Sequence, residues 1–186
     1  MTKRLITVVV LLTAFAAATA YAAVTTIPPS EYPRGCHPNG QALQGDAEGN
    51  LTVGTPQRDL ERGGGGYDTL TGHQEADCLF GEKGEDTVDG GGGSDRLKGG
   101  AGQDLILAAS SADVVQGGRG YDILDGFGGH DSIYGGPGPD HIVAGRNDDQ
   151  IVDVKAHNSI NCGKGIDTVV TNKRSQVEKC EHVTRR

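Results

Sequence analysis

The chain has 186 residues, of which 31 are glycine and none is tryptophan; three phenylalanines and five tyrosines make up the whole aromatic content. Glycine at more than twice its ordinary share of ~7%, with so little bulky apolar volume, excludes a conventional α/β enzyme core and leaves room for one slim domain. Acidic residues outnumber basic ones 25 to 17, a net charge of −8, and a chain of that sign is no partner for nucleic acid.

In chain order, Lys3 and Arg4 precede an apolar run from Leu5 to Ala18 and then small residues. This is the pattern of a secretory signal peptide, with cleavage expected after Ala22. The run is shorter than the roughly 20 residues of a membrane span, and no second apolar run follows. Without residues 1–22 the balance is 15 basic against 25 acidic residues, a net charge of −10. A Pro-containing arm is expected over 23–44, with Pro28, Pro29, Pro33 and Pro38.

The low aliphatic content and the charge border on the composition of a disordered chain. Periodicity excludes that reading. An ungapped nine-residue register runs from Gly54 to Val170 through thirteen units. Position six is Asp59, Asp68, Asp77, Asp86, Asp95, Asp104, Asp113, Asp122, Asp131, Asp140, Asp149, Asn158 and Asp167. Position eight is aliphatic in every unit but one, where it is Glu61. Each unit divides into six loop and three strand residues, so that the side chain at position eight points inward and its two neighbours outward. Glycines at positions one, two and four leave carbonyl oxygens unobstructed, and the Asp adds a carboxylate. Carbonyls and carboxylates with no imidazole or thiolate among them suit a hard cation, and a flexible loop favours calcium over magnesium.

The units GGGGYDTLT from Gly63, GGGGSDRLK from Gly90, GGAGQDLIL from Gly99, GGRGYDILD from Gly117 and GGPGPDHIV from Gly135 match G-G-x-G-x-D-x-U-x. On these residues the chain resembles the RTX, or haemolysin-type, calcium-binding repeat proteins. The resemblance implies an all-β, right-handed parallel β-roll over 45–170, with two nonapeptides per 18-residue turn and two short-stranded sheets. It also implies calcium between successive loops, held by loop carbonyls and by Asp residues 18 apart.

An 18-residue turn sorts the units into two columns. In the first, Gly occupies positions one and four every time, and its candidate ligands are Asp68, Asp86, Asp104, Asp122 and Asp140 with Gly63, Gly64, Gly66, Gly81, Gly84, Gly99, Gly100, Gly102, Gly117, Gly118, Gly120, Gly135, Gly136 and Gly138. Five adjacent loops make four inter-loop sites, and Asn158 is expected to end the column. The second column keeps Gly at position four in three of seven loops; Asp95, Asp113 and Asp131 are its candidates. Cys162 and Cys180 lie 18 residues apart, which on that turn would stack them at the ~4.8 Å strand spacing and within reach of a disulfide. Export makes pairing of the remaining Cys36 and Cys78 the default, which would tie the arm to the roll.

Residues 171–186 read as a polar cap. The six histidines lack zinc-ligand spacing, no GxSxG elbow occurs, and Asn50-Leu51-Thr52 is a glycosylation sequon. The expectation is a secreted, monomeric, non-enzymatic calcium-binding β-roll. An adhesive or accessory surface module with purely structural calcium is the alternative. A catalytic domain is not expected in the roughly 30 residues ahead of the roll, and position three offers no Thr or Asn row for ice binding.

Overall fold

A computed structural model describes residues 25–186; the expected leader, 1–22, lies outside the described residues. The loops end wherever an Asp at position six closes a turn, and three to six residues of strand follow; from β2 onward the odd- and even-numbered strands go to opposite sheets. Numbered in chain order, the ten-stranded sheet holds β1 (Thr25–Thr26), β2 (Ala42–Gln44), β4 (Leu60–Gly65), β6 (Cys78–Lys83), β8 (Arg96–Ala101), β10 (Val114–Arg119), β12 (Ser132–Tyr134), β14 (Gln150–Asp153), β16 (Thr168–Thr171) and β18 (His182–Arg185). The eight-stranded sheet holds β3 (Leu51–Val53), β5 (Thr69–Thr71), β7 (Thr87–Asp89), β9 (Leu105–Leu107), β11 (Ile123–Asp125), β13 (His141–Arg146), β15 (Ser159–Lys164) and β17 (Gln176–Glu178). The result is a β-solenoid of about eight turns.

Neighbours pair in parallel at an offset of 18, as in Leu97↔Val115↔Ile133↔Ile151 and Ile106↔Leu124↔Ile142↔Ile160. Exceptions fall at the ends. β1 runs antiparallel to β2, Ser159 pairs with Gln176 and Thr168 with His182, so the last turn is shortened. The sheets therefore reach past both limits of 45–170, with β2 before and β17 and β18 after.

The core is the row at position eight, contributed alternately by the two sheets, and Leu70, Leu79, Ile106, Leu124, Ile133, Ile142 and Ile151 are fully buried. At ~25 cal/mol per Å² each such side chain contributes about 1.5–3 kcal/mol, a thin core per turn. Glu61 sits in the same row and is also fully buried. Its Oε2 accepts a 2.5 Å hydrogen bond from Thr52 Oγ1 in the preceding unit, and burial pushes its carboxyl up to about 7.

The arm covers part of the outer face. Ile27, Cys36, Leu60 and Cys78 form a second small core, because the outward side chains of Leu60 and Cys78 would otherwise face water. Cys36–Cys78 bridges arm and sheet with a Cα separation of 5.9 Å, and Cys162–Cys180 closes the last turn at 5.2 Å. In the shortened turn Asn161 pairs with Glu178. Lys179 then takes a positive φ of 54°, which absorbs the one-residue mismatch before Cys180.

Candidate metal centres

Each Asp at position six is at most 2% exposed although it lies in a loop. The cause is a ladder through the stack. The backbone N–H of Asp86 donates to Oδ1 of Asp104 at 3.0 Å, and the N–H of Asp104 donates in turn to Oδ1 of Asp122 at 3.0 Å. The same bond joins Asp68 to Asp86, Asp122 to Asp140 and Asp140 to Asn158. In the second column it runs without a break from Asp59 through Asp77, Asp95, Asp113, Asp131 and Asp149 to Asp167. The last donors find other acceptors, Ser175 Oγ for Asn158 and Glu181 Oε2 for Asp167.

The second carboxylate oxygen is orphaned. Oδ2 of Asp68, Asp77, Asp86, Asp95, Asp104, Asp113, Asp122, Asp131, Asp140, Asp149 and Asp167 is buried with no hydrogen-bond partner. An unsatisfied buried acceptor costs about 1–3 kcal/mol, more when charged. In the first column this oxygen occupies the space that a Cβ on Gly63, Gly81, Gly99, Gly117 or Gly135 would need, so position one has to be glycine. Asp59 differs. Both its oxygens are used internally, by the N–H of Gln41 and by the N–H and Oγ1 of Thr55.

Loop carbonyls complete the oxygen set. Gly102 has φ +144°, and a Cβ there would run into the carbonyl oxygen of Gly84; Gly120 stands in the same relation to Gly102, and Gly138 to Gly120. Position four must therefore be bare for the carbonyl of the preceding turn to approach. Among the described residues no group of three or more His, Cys, Asp or Glu side chains is gathered for a metal. The donors are instead one carboxylate per loop plus main-chain oxygens, and this set fits calcium.

The columns differ less in backbone than their glycine content suggests. Ala109 and Ser111 take φ of 74° and 84° in the loop before Asp113, and His73 and Glu75 do the same before Asp77. Asp77, Asp149 and Asp167 join the second ladder as well. The first ladder starts earlier than the register from Gly54 indicates, since the N–H of Asn50 donates to Asp68 Oδ1 at 2.7 Å. Asn50 is 5% exposed, with Nδ2 on Glu48 O and Asp68 Oδ1, so the sequon is closed in the folded chain. The signal was legible in GDAEGN, residues 45–50, one turn ahead of GGGGYD.

Burial raises these carboxyls, opposed by the N–H of the preceding turn and reinforced by neighbouring carboxylates: Asp86 to about 6, Asp104 and Asp140 to about 7, Asp113 to about 8. Groups whose folded values exceed the ordinary carboxylate range take up protons on folding. Without calcium, then, stability rises as the pH is lowered through 8 to 6 and is fully gained only below about 4. In calcium-free buffer the β spectrum is expected to be stronger at pH 5 than at pH 8. A stronger spectrum at pH 8 would contradict this assignment of protons.

A family model for the RTX calcium-binding nonapeptide repeat matches in four copies, at residues 54–88, 89–124, 107–142 and 125–152, covering more than half of the chain. No curated protein and no solved structure matches it. The repeat, the 18-residue turn and the carboxylate ladder agree with that match, and the chain belongs to the RTX calcium-binding nonapeptide repeat family.

Proposed function

We propose that this β-roll is a secreted calcium-binding protein whose ions lie between successive loops of the first column, at Asp68, Asp86, Asp104, Asp122 and Asp140 with the neighbouring glycine carbonyls. Asp95, Asp113 and Asp131 bind in the second column, which is poorer in glycine overall although the Asp95 loop is complete. The observation that carries this reading is the row of buried Oδ2 atoms without partners, one per loop, on loops whose glycines let the carbonyl of the preceding turn approach. Bound calcium supplies positive charge and coordination to those oxygens. The chain's own part is to hold one oxygen of each carboxylate on the preceding N–H and leave the other open.

Two disulfides are consistent with an oxidising compartment, and among the described residues no helix is long and apolar enough to cross a membrane. The reading therefore places the protein outside the cell as a monomer without catalytic function. The second reading, adhesion, is favoured by an open groove lined by Arg62, Phe80, Glu82, Lys83, Lys98 and Arg119, in which Glu82 pairs with Arg62 and the remaining charges are basic on an acidic chain. Isothermal titration tests the first: several calcium ions per chain are expected, with equimolar magnesium failing to displace them, and absence of calcium heats overturns it.

A further inference from the structure

We propose that Asp140 and Asp153 form an additional calcium site at the C-terminal end of the first column, in which a side-chain carboxylate at position one takes the place that a main-chain carbonyl holds in earlier turns. The proposal rests on the reading of the loops as calcium sites and extends it past Asn158, where the glycine pattern stops.

Three turns show the ordinary arrangement. The space beside Gly63, Gly81 and Gly117 is bordered by the Oδ2 of the loop's own Asp and by the carbonyl oxygen of the next position one, Gly81, Gly99 and Gly135 respectively. At Gly135 the pattern changes. Asp140 Oδ2 lies 2.5 Å from the Cβ position, as its counterparts lead one to expect, but the second neighbour is Asp153 Oδ2, also at 2.5 Å. The Asp153 carbonyl accepts from Thr171 Oγ1 at 2.7 Å and Asn158 Nδ2 at 3.2 Å, and its carboxylate reaches the space beside Gly135.

Asp153 is 1% exposed and Asp140 2%. Asp140 Oδ2 and both oxygens of Asp153 lack a partner at full hydrogen-bonding geometry; the Lys155 N–H and the Asn158 amide lie near enough to favour the charged Asp153 carboxylate, and the ion pair among the described residues, Arg62 with Glu82, involves neither acid. Two buried carboxylates aimed at one space, with three open oxygens and no cation of the protein's own, repel unless a cation joins them. The charge count fits as well. Asn158 is neutral at position six, where the inner sites have a second Asp, and Asp153 restores the missing negative charge from position one. Hydrogen bonds from Thr171 and Asn158 to its carbonyl hold it in that orientation, and pairing of β14 with β16 at Asp153↔Thr171 fixes the strand.

Calcium titration of wild type, Asp153→Asn and Thr171→Val, with far-UV circular dichroism at saturating calcium, tests the site. Asp153→Asn is expected to keep the β spectrum and bind one calcium fewer. Thr171→Val removes a donor that holds the Asp153 carbonyl and is expected to weaken one site by about tenfold while the other sites keep their affinity. An unchanged stoichiometry in Asp153→Asn overturns the proposal even if the variant melts earlier, because a purely structural role would lower stability alone. If Asp153→Asn does not fold, a Thr171→Val variant in which every site keeps its wild-type affinity overturns it. A wild-type chain that takes up no calcium would instead remove the reading on which the site rests.

Discussion

In calcium-free buffer at pH 8 the protein is expected to lose its β-sheet spectrum, and to recover it in one cooperative transition as calcium reaches about 10⁻⁴–10⁻³ M, the range of extracellular modules. The reason is the balance within a turn. Two aliphatic side chains per turn contribute about 3–6 kcal/mol, whereas ionised carboxylates stacked ~4.8 Å apart repel by about 3–4 kcal/mol per step at an effective dielectric near 20. Every turn carries two such steps, one in each column. At pH 8 the buried Asp86 and Asp104, with values near 6 and 7, are mostly ionised if the roll persists, whereas Asp113, near 8, is about half ionised, so the repulsion is strongest in the first column. Binding free energy then becomes folding free energy. Magnesium prefers short octahedral contacts and retains its waters, so it should not restore the spectrum at the same concentration. A β spectrum indifferent to chelation would refute the dependence.

Asp104→Ala is expected to be far more damaging than Asp113→Ala, although the residues are equivalent in position and equally buried. Both changes remove a ladder acceptor and strand an N–H, of Asp86 in one case and Asp95 in the other, a shared cost of about 1–3 kcal/mol. The difference lies in the ions. Asp104 stands between two loops that keep glycine at positions one and four and would serve two sites, with Gly100 and Gly102 at the positive φ that suits glycine and Glu82 the one non-glycine residue forced there in the loop before it. The Asp113 loop reaches the same backbone only by forcing Ala109 and Ser111 into it, at about 1–2 kcal/mol per residue. A central break also divides the stack, because each turn contacts only its neighbours. Titration should show up to two calcium ions lost in Asp104→Ala and at most one in Asp113→Ala, with the larger rise in folding midpoint in the first. Equal losses would show that the columns are equivalent and that strained non-glycine loops bind as well as glycine loops.

The architecture was legible because a solenoid repeats its contacts whenever it repeats its residues. A lone aliphatic at position eight and an Asp at position six recur every nine residues, and glycine at position four every eighteen from Gly66 to Gly138; each has one local reason: an inward side chain, a buried acceptor, a carbonyl approaching from the preceding turn. Cys162 and Cys180 were legible on the same ground once the turn length was taken as 18. The disulfide partner of Cys78 was reached only by elimination, since nothing local shows that the arm folds back over an outward side chain.

Where the repeat decays, neighbours in space decide, and the sequence does not order those neighbours. Asn50 extends the ladder because its N–H meets Asp68, a contact that its place in a sequon conceals. Ala109 and Ser111 adopt glycine-like angles because the loops stacked on either side impose them. Glu61 is tolerated in the aliphatic row because Thr52, across the core, reaches it. Asp153 lies in a unit that has lost every glycine, and composition marks that unit as the end of the column. Its carboxylate nevertheless enters the space beside Gly135, while Thr171 and Asn158 hold its carbonyl. The period and its chemistry belong to the nine residues of a unit, whereas the ends and exceptions are settled by side-chain contacts between turns, which are absent until the turns are stacked.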